Sequence, residues 1–364
     1  MLRCSQSAEA IYICPPKRIR DMNVGLVGLG KMGLLHAGIL SSINFVKLVA
    51  ISEREKVITK FAKRLLPGIH VYDEFEEMLD SEELDLVYVT TPVSSHYPVI
   101  SLCVKRQVNF FVEKPLVSDL KQTINLHRTL KGSPIIHSVG YNRRFMTTFS
   151  KTKSLLERGI LGEISYVKSS MYVSNILSKP TGWRFKKGIS GGGALLDLGA
   201  HVIDLLVWYF SPIREVSAKT KSLYSEEVED VAHVDIDFAD GSKGEIDASW
   251  SAIGYRLPEL NIEITGKKGK LRVNEDFIKV DLDSHSPYIE GAGTTIYKQS
   301  LDNEVPIDIG GPEYTKEDIH MIDCVSNRRQ TLVNAFEACK TQSILHSAYE
   351  ASRVGKTKKV EYFD

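Results

Sequence analysis

Cysteine is scarce in this 364-residue chain, and its spacing matches no cysteine-based scaffold. The five cysteines, Cys4, Cys14, Cys103, Cys324 and Cys339, are odd in number, scattered, and never spaced as Cys-x-x-Cys. This pattern argues against a disulfide framework or a structural zinc site and favours a reducing, cytoplasmic location. Paired histidines and His-x-x-Glu spacing are also missing, so we expect no metal site.

The chain also lacks an excess of charge and a long apolar run. Lys plus Arg and Asp plus Glu are both 46, so the formal net charge is zero. No global positive field exists to hold nucleic acid or an anionic membrane, and no membrane span is visible. We therefore expect neither partner. A hydrophobic fraction of 43% and a charged fraction of 25% are typical of a globular protein.

The length exceeds what one hydrophobic core usually serves and predicts two domains. We place a dinucleotide-binding domain at residues 23–141 and a substrate-binding and oligomerisation domain at 142–364, whose final helix and tail could pack on the first. Residues 1–22 form a predicted disordered extension, which lacks the apolar segment of a signal peptide. An equal alternative is a start codon assigned upstream of Met22.

From Val24 to about Gly140, short apolar runs alternate with helical patterns, which predicts an α/β fold with a doubly wound parallel sheet. The predicted strands are 24–27, 48–51, a short one near Val71, 86–89, 110–112 and 135–139, and the clearest helices are 31–40, 53–65, 97–105 and 120–130.

The pattern changes after Gly140. A helix at 149–157, a strand at 164–173 and an apolar helix at 194–208 precede several alternating runs without long helices between them, which predicts an open, mostly antiparallel sheet. The predicted strands are 232–238, 244–250, 260–265 and 270–273; a surface excursion at 284–312 and helices at 316–325 and 332–353 complete the chain.

A glycine-rich motif stands between the first strand and the first helix. Gly28-Leu29-Gly30-Lys31-Met32-Gly33 is a G-x-G-x-x-G in the context where a backbone approaches a pyrophosphate at a helix N-terminus. Glu53 follows the second strand, where a carboxylate accepts hydrogen bonds from a ribose and repels a 2′-phosphate. The pattern favours NAD. Arg54 and Lys31 keep NADP open, since both offer positive charge nearby.

Two further motifs follow strands of the same predicted sheet. Thr91-Pro92 follows the fourth strand, and His96 opens the next helix, either as a contact to the ribose or the substrate or as a surface histidine. Glu113-Lys114-Pro115 ends the fifth strand. A lysine there is a candidate to polarise a carbonyl, although a structural ion pair explains the spacing equally well.

A glycine loop, 191–193, leads into an apolar helix that carries Asp197 and His201. Residues four apart share one helix face, so we expect Asp197 to hydrogen-bond His201, orient it and raise its pKa. Such a pair suits proton transfer from an alcohol, and a purely structural pair is the alternative. For Asp204, three residues further on, we expect capping or solvent contact.

With these residues in view, the sequence resembles the Gfo/Idh/MocA family of nicotinamide-dependent oxidoreductases from about Asn23 to Val360. The motifs that carry the resemblance are the Gly28 fingerprint, Thr91-Pro92 with His96, Glu113-Lys114-Pro115, Asn142-Arg143-Arg144-Phe145, Trp183-Arg184, and the glycine loop leading to Asp197-x-x-x-His201. Their order and spacing together are highly specific. Glu53, where many relatives carry Asp, departs from the pattern.

The resemblance implies that Lys114, Asp197 and His201 meet between the domains, with a Lys114-Pro115 bond that is often cis. His201 would take the hydroxyl proton, Asp197 would orient it, and Lys114 would stabilise charge on the oxygen. The expected cofactor contacts are Gly28, Gly30, Lys31, Met32, Gly33, Glu53, Arg54, Thr91, Pro92, His96 and Glu113, and the expected substrate contacts are Lys114, Arg144, Tyr172, Trp183, Arg184 and His201.

The implied substrate is a sugar, an inositol-like polyol or a sugar nucleotide, and the implied assembly is a homodimer or homotetramer formed through the second sheet. A catalytically silent, dinucleotide-sensing regulator of the same fold is the alternative. Regulators of this kind usually lose the lysine or the histidine, and this chain retains both Lys114 and His201.

Overall fold

A computed structural model describes residues 21–66, 68–178, 180–301 and 305–363. Except for its last two residues, the predicted N-terminal extension lies outside the described residues. The first strand begins at Met22.

Six parallel strands form the first sheet in the order β3-β2-β1-β4-β5-β6, which confirms the doubly wound prediction. Strands such as Leu86–Val89 are buried along their whole length because helices cover both faces of the sheet. The strands are β1 Met22–Val27, β2 Val46–Ser52, β3 His70–Tyr72, β4 Leu86–Val89, β5 Asn109–Glu113 and β6 His137–Gly140. The helices are α1 Lys31–Ser41, α2 Lys56–Leu65, α3 Phe75–Ser81, α4 His96–Arg106 and α5 Leu120–Leu130.

Because these strands are parallel, their carboxyl ends lie at one edge of the sheet. The glycine loop after β1, Glu53 after β2, Thr91 after β4 and Lys114 after β5 all follow those ends. Ligands of doubly wound sheets bind at this edge, where the strand order reverses between β1 and β4.

Nine strands form the second sheet in the order β14-β13-β12-β11-β7-β10-β9-β8-β15. Neighbours are antiparallel except β7 and β10, which confirms the open, mostly antiparallel prediction. The strands are β7 Ile164–Tyr172, β8 Ile213–Lys221, β9 Val231–Phe238, β10 Lys243–Ser249, β11 Glu259–Gly266, β12 Gly269–Val273, β13 Phe277–Leu282, β14 Gly293–Tyr297 and β15 Lys358–Lys359.

Among the described residues, helices pack on one face of this sheet. Inward residues of β7 such as Val167 and Met171 are buried, whereas the outward Tyr166 and Lys168 are exposed. The helices that follow β6 in sequence are α6 Thr147–Glu157, α7 Lys187–Ser190, α8 Ala200–Tyr209, α9 Pro312–Asn327 and α10 Ala335–Val354. Of these, α9 packs against α1 and the core of the first sheet. A π-helical turn at Leu195–Gly199 leads directly into α8.

The predicted surface excursion at 284–312 is wrong in one respect, because it contains β14, which pairs with β13. This strand is Gly-Thr-Thr-Ile-Tyr, with no buried residue, and therefore shows no apolar alternation in the sequence. The helix α9 also begins four residues before its predicted start, at Pro312, a residue well suited to a first helical turn.

One described segment, Lys187–Tyr209, which runs from α7 through the loop 191–193 and the π-helical turn to the end of α8, is long and apolar enough to cross a membrane. However, 83% of its apolar window is buried inside the protein, as expected for the core helix of a folded domain. This segment also carries Asp197 and His201.

Candidate functional site

The glycine loop after β1 has the geometry of a pyrophosphate cradle. Gly28 has a φ of +93°, and a Cβ there would lie 2.9 Å from the Thr91 methyl group, so both conformation and space require glycine. A Cβ at Gly33 would lie 2.1 Å from the Gly28 carbonyl oxygen. At Gly30, by contrast, no atom lies within 4 Å of a Cβ position, so the backbone at the start of α1 is open to a ligand. These residues fit a dinucleotide at the positive end of the helix.

Glu53 lies beside this loop, as its position after β2 predicts. Its Oε2 accepts a hydrogen bond from the Leu29 backbone N–H at 2.7 Å, and its Oε1 accepts one from the N–H of Glu55 at 2.8 Å. Arg54 and Lys31 are the two cationic residues that kept NADP as an alternative cofactor. Arg54 is paired with Glu74 at 2.6 Å, and Lys31 is exposed along a groove between α1 and α2. A carboxylate fixed against the loop disfavours a 2′-phosphate.

Lys114 and Asp197 form an ion pair. It connects the end of β5 in the first sheet to the π-helical turn before α8. The Lys114 Nζ donates to Asp197 Oδ1 at 2.7 Å and to the Asp197 carbonyl at 2.8 Å, and the Lys114-Pro115 bond is cis. The second carboxylate oxygen of Asp197 accepts the Trp250 Nε1–H at 3.1 Å. Burial raises the pKa of Asp197, but the charges of Lys114 and Arg184 outweigh it and hold that pKa well below its usual range. Asp197 is therefore ionised.

His201 lies on the first turn of α8, is 8% exposed, and packs edge-on against Tyr141. The predicted hydrogen bond to Asp197 is wrong, because Lys114 and Trp250 occupy the Asp197 carboxylate; His201 Nδ1 is buried without a partner among the described residues. The predicted rise in pKa is also wrong. Burial and the charges of Lys114 and Arg143 outweigh Asp197 and lower the pKa of His201 well below its ordinary value. The imidazole is neutral and able to accept a proton.

Two residues expected at the cofactor have buried structural partners instead. His96 is 1% exposed, and its two ring nitrogens each lie 2.9 Å from a backbone carbonyl, that of Pro115 and that of Thr91. It is therefore neither the expected ligand contact nor a surface histidine. Glu113 turns to His36, 3.2 Å away, and accepts the Lys114 backbone N–H at 3.1 Å. Both residues support the Lys114 segment.

The expectation that Arg144 contacts the substrate is wrong. Arg144 is 2% exposed and forms two hydrogen bonds with Asp204, at 2.8 and 2.7 Å. Asp204 is fully buried, so the predicted capping or solvent contact is wrong as well. The neighbouring Arg143 is the arginine whose charge acts on His201, and it lies 3.5 Å from Glu275. No sequence signal distinguishes these adjacent arginines.

The other expected substrate residues divide between two locations. Arg184 is exposed close enough to Asp197 to lower its pKa, and its guanidinium lies 5.9 Å from the ring of Trp183, which is 45% exposed. Tyr172 lies elsewhere. It alternates with the buried Met171 on β7, and its ring contacts Tyr255 on the open face of the sheet, opposite α8. Its expected contact with a substrate stays a prediction.

The loop 191–193 that leads to Asp197 is held by a buried carboxylate. Glu229 accepts the backbone N–H groups of Gly193 and Leu195 at 3.0 Å and the Tyr349 hydroxyl at 2.7 Å. A Cβ at Gly193 would lie 1.9 Å from the Glu229 carbonyl oxygen. No sequence pattern predicts the roles of Glu229, Tyr349 and Trp250, because their contacts join distant parts of the chain.

Within the described residues, no three His, Cys, Asp or Glu side chains are arranged to hold a metal ion. The site itself offers a fixed ammonium group, a carboxylate that positions it, and a neutral imidazole beside a dinucleotide cradle.

Two family models match the chain. The model for the oxidoreductase family with an NAD-binding Rossmann fold covers residues 22–141, and the model for the GFO/IDH/MocA C-terminal domain covers residues 149–272. The chain belongs to the GFO/IDH/MocA oxidoreductase family. Membership confirms the resemblance, the oxidoreductase class and the NAD-binding fold.

Similar proteins in this family include the myo-inositol 2-dehydrogenase of Thermotoga maritima, which is 29% identical over 258 residues, 69% of this chain and 74% of that protein. The NADP-dependent scyllo-inositol 2-dehydrogenase IolW of Bacillus subtilis is 24% identical over 360 residues, 95% of this chain and 98% of its own length. Levoglucosan dehydrogenase, solved with NADH and L-sorbose, superposes with a TM-score of 0.83 at 22% identity over 93% of this chain and 99% of that one. The last similarity shows the shared fold.

Proposed function

We propose that this GFO/IDH/MocA protein is a dehydrogenase that interconverts a secondary alcohol and a ketone on a sugar, an inositol-like polyol or a sugar nucleotide, with NAD as cofactor. The observation that carries the proposal is the Lys114–Asp197 ion pair beside a buried, neutral His201, next to the edge that bears the glycine loop. The similarity to inositol dehydrogenases supports the substrate class.

In the oxidation direction, the neutral imidazole of His201 takes the hydroxyl proton while the carbon loses its hydrogen as hydride. The Lys114 ammonium stabilises the negative charge that develops on the oxygen, and Asp197 holds that ammonium in place. A bound nicotinamide supplies the hydride acceptor. Every step reverses in ketone reduction, in which a protonated His201 returns the proton.

Access supports this assignment. The side chains of Lys114 and Asp197 keep 15% and 27% of their surface exposed, so a hydroxyl group can approach the pair. The tip of the segment with Trp183 and Arg184 is exposed near Asp197 and supplies an aromatic ring and a cation to an incoming substrate. Arg143, rather than Arg144, would complete the positive side of the site.

The test is a turnover assay with a substrate panel. Purified protein is mixed with NAD or NADP and with inositols, aldoses, uronates and UDP-amino sugars in turn, and nicotinamide absorbance is followed. We expect substrate-dependent reduction of NAD with one of these classes. NADH binding by calorimetry without turnover of any panel member would instead support the dinucleotide-sensing regulator.

We further propose a cytoplasmic protein that forms a homodimer or homotetramer through the open face of the second sheet. The described cysteines Cys103, Cys324 and Cys339 are free and buried, which suits a reducing compartment. Tyr166 stands 40% exposed on the open face. Light scattering after size exclusion tests the assembly, and replacement of Tyr166 by Asp should weaken it.

A further inference from the structure

A histidine outside the proposed catalytic group lies at the junction of three elements. His36, on α1, is fully buried, and its Nδ1 lies 2.9 and 3.0 Å from the two carboxylate oxygens of Asp318 on α9. Its Nε2 lies 3.2 Å from Glu113 Oε1 at the end of β5. Burial lowers the pKa of His36, but the charges and hydrogen bonds of the two carboxylates outweigh it and raise the pKa to about 10, so the ring is an imidazolium that donates from both nitrogens.

Aromatic rings surround the imidazole of His36. Phe111 and Tyr88 lie with ring centroids 5.0 and 5.4 Å away, and Tyr314 closes a third side at 6.3 Å. Glu317, on the same helix as Asp318, is also buried nearby, and burial with the charge of Glu113 raises its pKa well above the usual range, which leaves it neutral. Charge-assisted hydrogen bonds are strong in such surroundings.

Glu113 links His36 to the backbone of Lys114. Its Oε1 faces His36, while its Oε2 accepts the backbone N–H of Lys114 at 3.1 Å. Gly140 leaves the room that this carboxylate needs, because a Cβ there would lie 3.1 Å from Glu113 Oε2. From Lys114 the chain of contacts continues through its Nζ to Asp197.

We propose that His36 is a positioning residue for Lys114: it fixes the Glu113 carboxylate, which in turn holds the Lys114 backbone in register with Asp197. The importance of this role for turnover rests on the proposed function. The hydrogen-bond chain itself does not, so the two ideas can be tested separately.

Two substitutions separate the two sides of the ring. The Asn amide nitrogen occupies the place of His Nδ1, so H36N keeps a donor for Asp318 and loses the contact to Glu113. The Gln amide nitrogen occupies the place of His Nε2, so H36Q keeps a donor for Glu113 and loses the contact to Asp318. If His36 positions Lys114, H36N is the damaging change; if it only ties α1 to α9, H36Q is.

The first readout is hydrogen exchange of the Lys114 amide, measured by mass spectrometry on peptides across β5. We expect exchange on the order of tenfold faster in H36N than in wild type, with H36Q close to wild type. The control is H137Q, because His137 is also buried and accepts the N–H of Ala335 at the start of α10, at 3.0 Å, without contact to Lys114. H137Q should leave Lys114 exchange unchanged.

The second readout is turnover of whichever panel substrate is active. We expect kcat to fall by roughly 10²-fold in H36N, as for a displaced catalytic group, with NADH affinity and KM little changed. Absence of turnover in wild type would overturn the proposed function, while the exchange comparison would still decide the role of His36.

Three outcomes would overturn the proposal: equal exchange in both His36 variants and H137Q, a larger effect in H36Q than in H36N, or normal kcat in H36N. If H36N does not fold, E113A takes its place, because it removes the acceptor of the Lys114 N–H. Unchanged Lys114 exchange in E113A would be equally contrary.

Discussion

Burial and nearby charge decide which groups of the site are ionised. Burial, together with the charges of Lys114 and Arg143, lowers the pKa of His201 and keeps its imidazole neutral despite Asp197. A neutral histidine can accept a proton from an alcohol without first losing one, and the adjacent ammonium remains available to the oxygen. These two residues therefore carry different parts of the proposed reaction.

Replacing either residue should separate turnover from cofactor binding. We expect Lys114→Met and His201→Asn each to lower kcat by about 10²- to 10⁴-fold, the usual contribution of a positioned acid, base or charge. NADH affinity should stay close to that of wild type, because neither residue lies on the glycine loop after β1. Turnover assays measure kcat, and NADH fluorescence measures the affinity for NADH. Near-normal kcat in both variants would be incompatible with the proposed mechanism.

Trp250 should matter to the rate through a single hydrogen bond. Trp250→Phe keeps an aromatic ring against Phe185 but removes the donor to Asp197 Oδ2. We expect kcat to fall by about tenfold, since bonds to charged groups are worth about 1.5–3 kcal/mol. Trp208→Phe is the matched control, because Trp208 packs over Arg144 instead. Equal rates in the two variants would remove Trp250 from the positioning of Asp197.

The sequence identified the residues whose role follows from a motif, and it failed where a role depends on contacts across the chain. Lys114, Asp197 and His201 stand at recognisable positions after a strand or on a helix. Trp250, Glu229 and His36 act through partners that are distant in sequence. Arg143 and Arg144 are adjacent within a 3₁₀ turn, Asn142–Phe145, whose geometry directs neighbours to different sides.

At the scale of elements, close backbone packing around the loop 191–193 positions the start of the helical segment that carries Asp197 and His201. We expect Gly193→Ala to destabilise the protein by at least about 1–3 kcal/mol, because its Cβ would overlap the Glu229 carbonyl. Gly188→Ala is the control: Gly188 is the second residue of α7, no atom lies within 4 Å of its Cβ position, and the change should be neutral. Thermal unfolding compares them, and equal midpoints would contradict the packing argument.

The pyrophosphate loop allows the opposite experiment. Gly30→Ala should fold normally, because its φ of −72° suits alanine and no atom lies within 4 Å of the new methyl group. The methyl group would stand where a ligand approaches the start of α1, so we expect NADH affinity to fall by roughly tenfold, about 1.4 kcal/mol. Fluorescence titration measures it. Unchanged affinity would place the pyrophosphate elsewhere.

Element prediction succeeded where apolar runs mark buried strands and failed where they do not. The first sheet was predictable because its strands are buried on both faces, and the second because its strands alternate. β14 has no fully buried residue, and the π-helical turn before α8 has no pattern of its own in the sequence. Both depend on tertiary packing.

At the scale of the whole molecule, the charge on His36 should make the free energy of unfolding depend on pH. Burial lowers the pKa of His36, but the charges and hydrogen bonds of Asp318 and Glu113 outweigh it and raise the pKa to about 10. The stability that the imidazolium contributes is complete below its unfolded pKa of about 6.5 and is lost as the pH rises through the folded value.

We therefore expect the thermal unfolding midpoint of wild type to decrease as the pH is raised from about 7 to about 9.5, and that of H36Q to decrease less. The buried His137 and His320 have pKa values lowered by burial and titrate below this window. Thermal unfolding over the pH series measures the difference. Parallel slopes for the two proteins would show that His36 is uncharged.

The contact between Tyr349 and Glu229 has a consequence for how the protein is made. Ribosomes release a chain from its N-terminus, so the loop before Asp197 and the carboxylate that holds it emerge well before the helix α10 that carries Tyr349. Asp318, which completes the surroundings of His36, also emerges late. A nascent chain can thus form its first sheet early, but the complete site has to wait until α10 has been made, and a chain that stops before Tyr349 should be inactive.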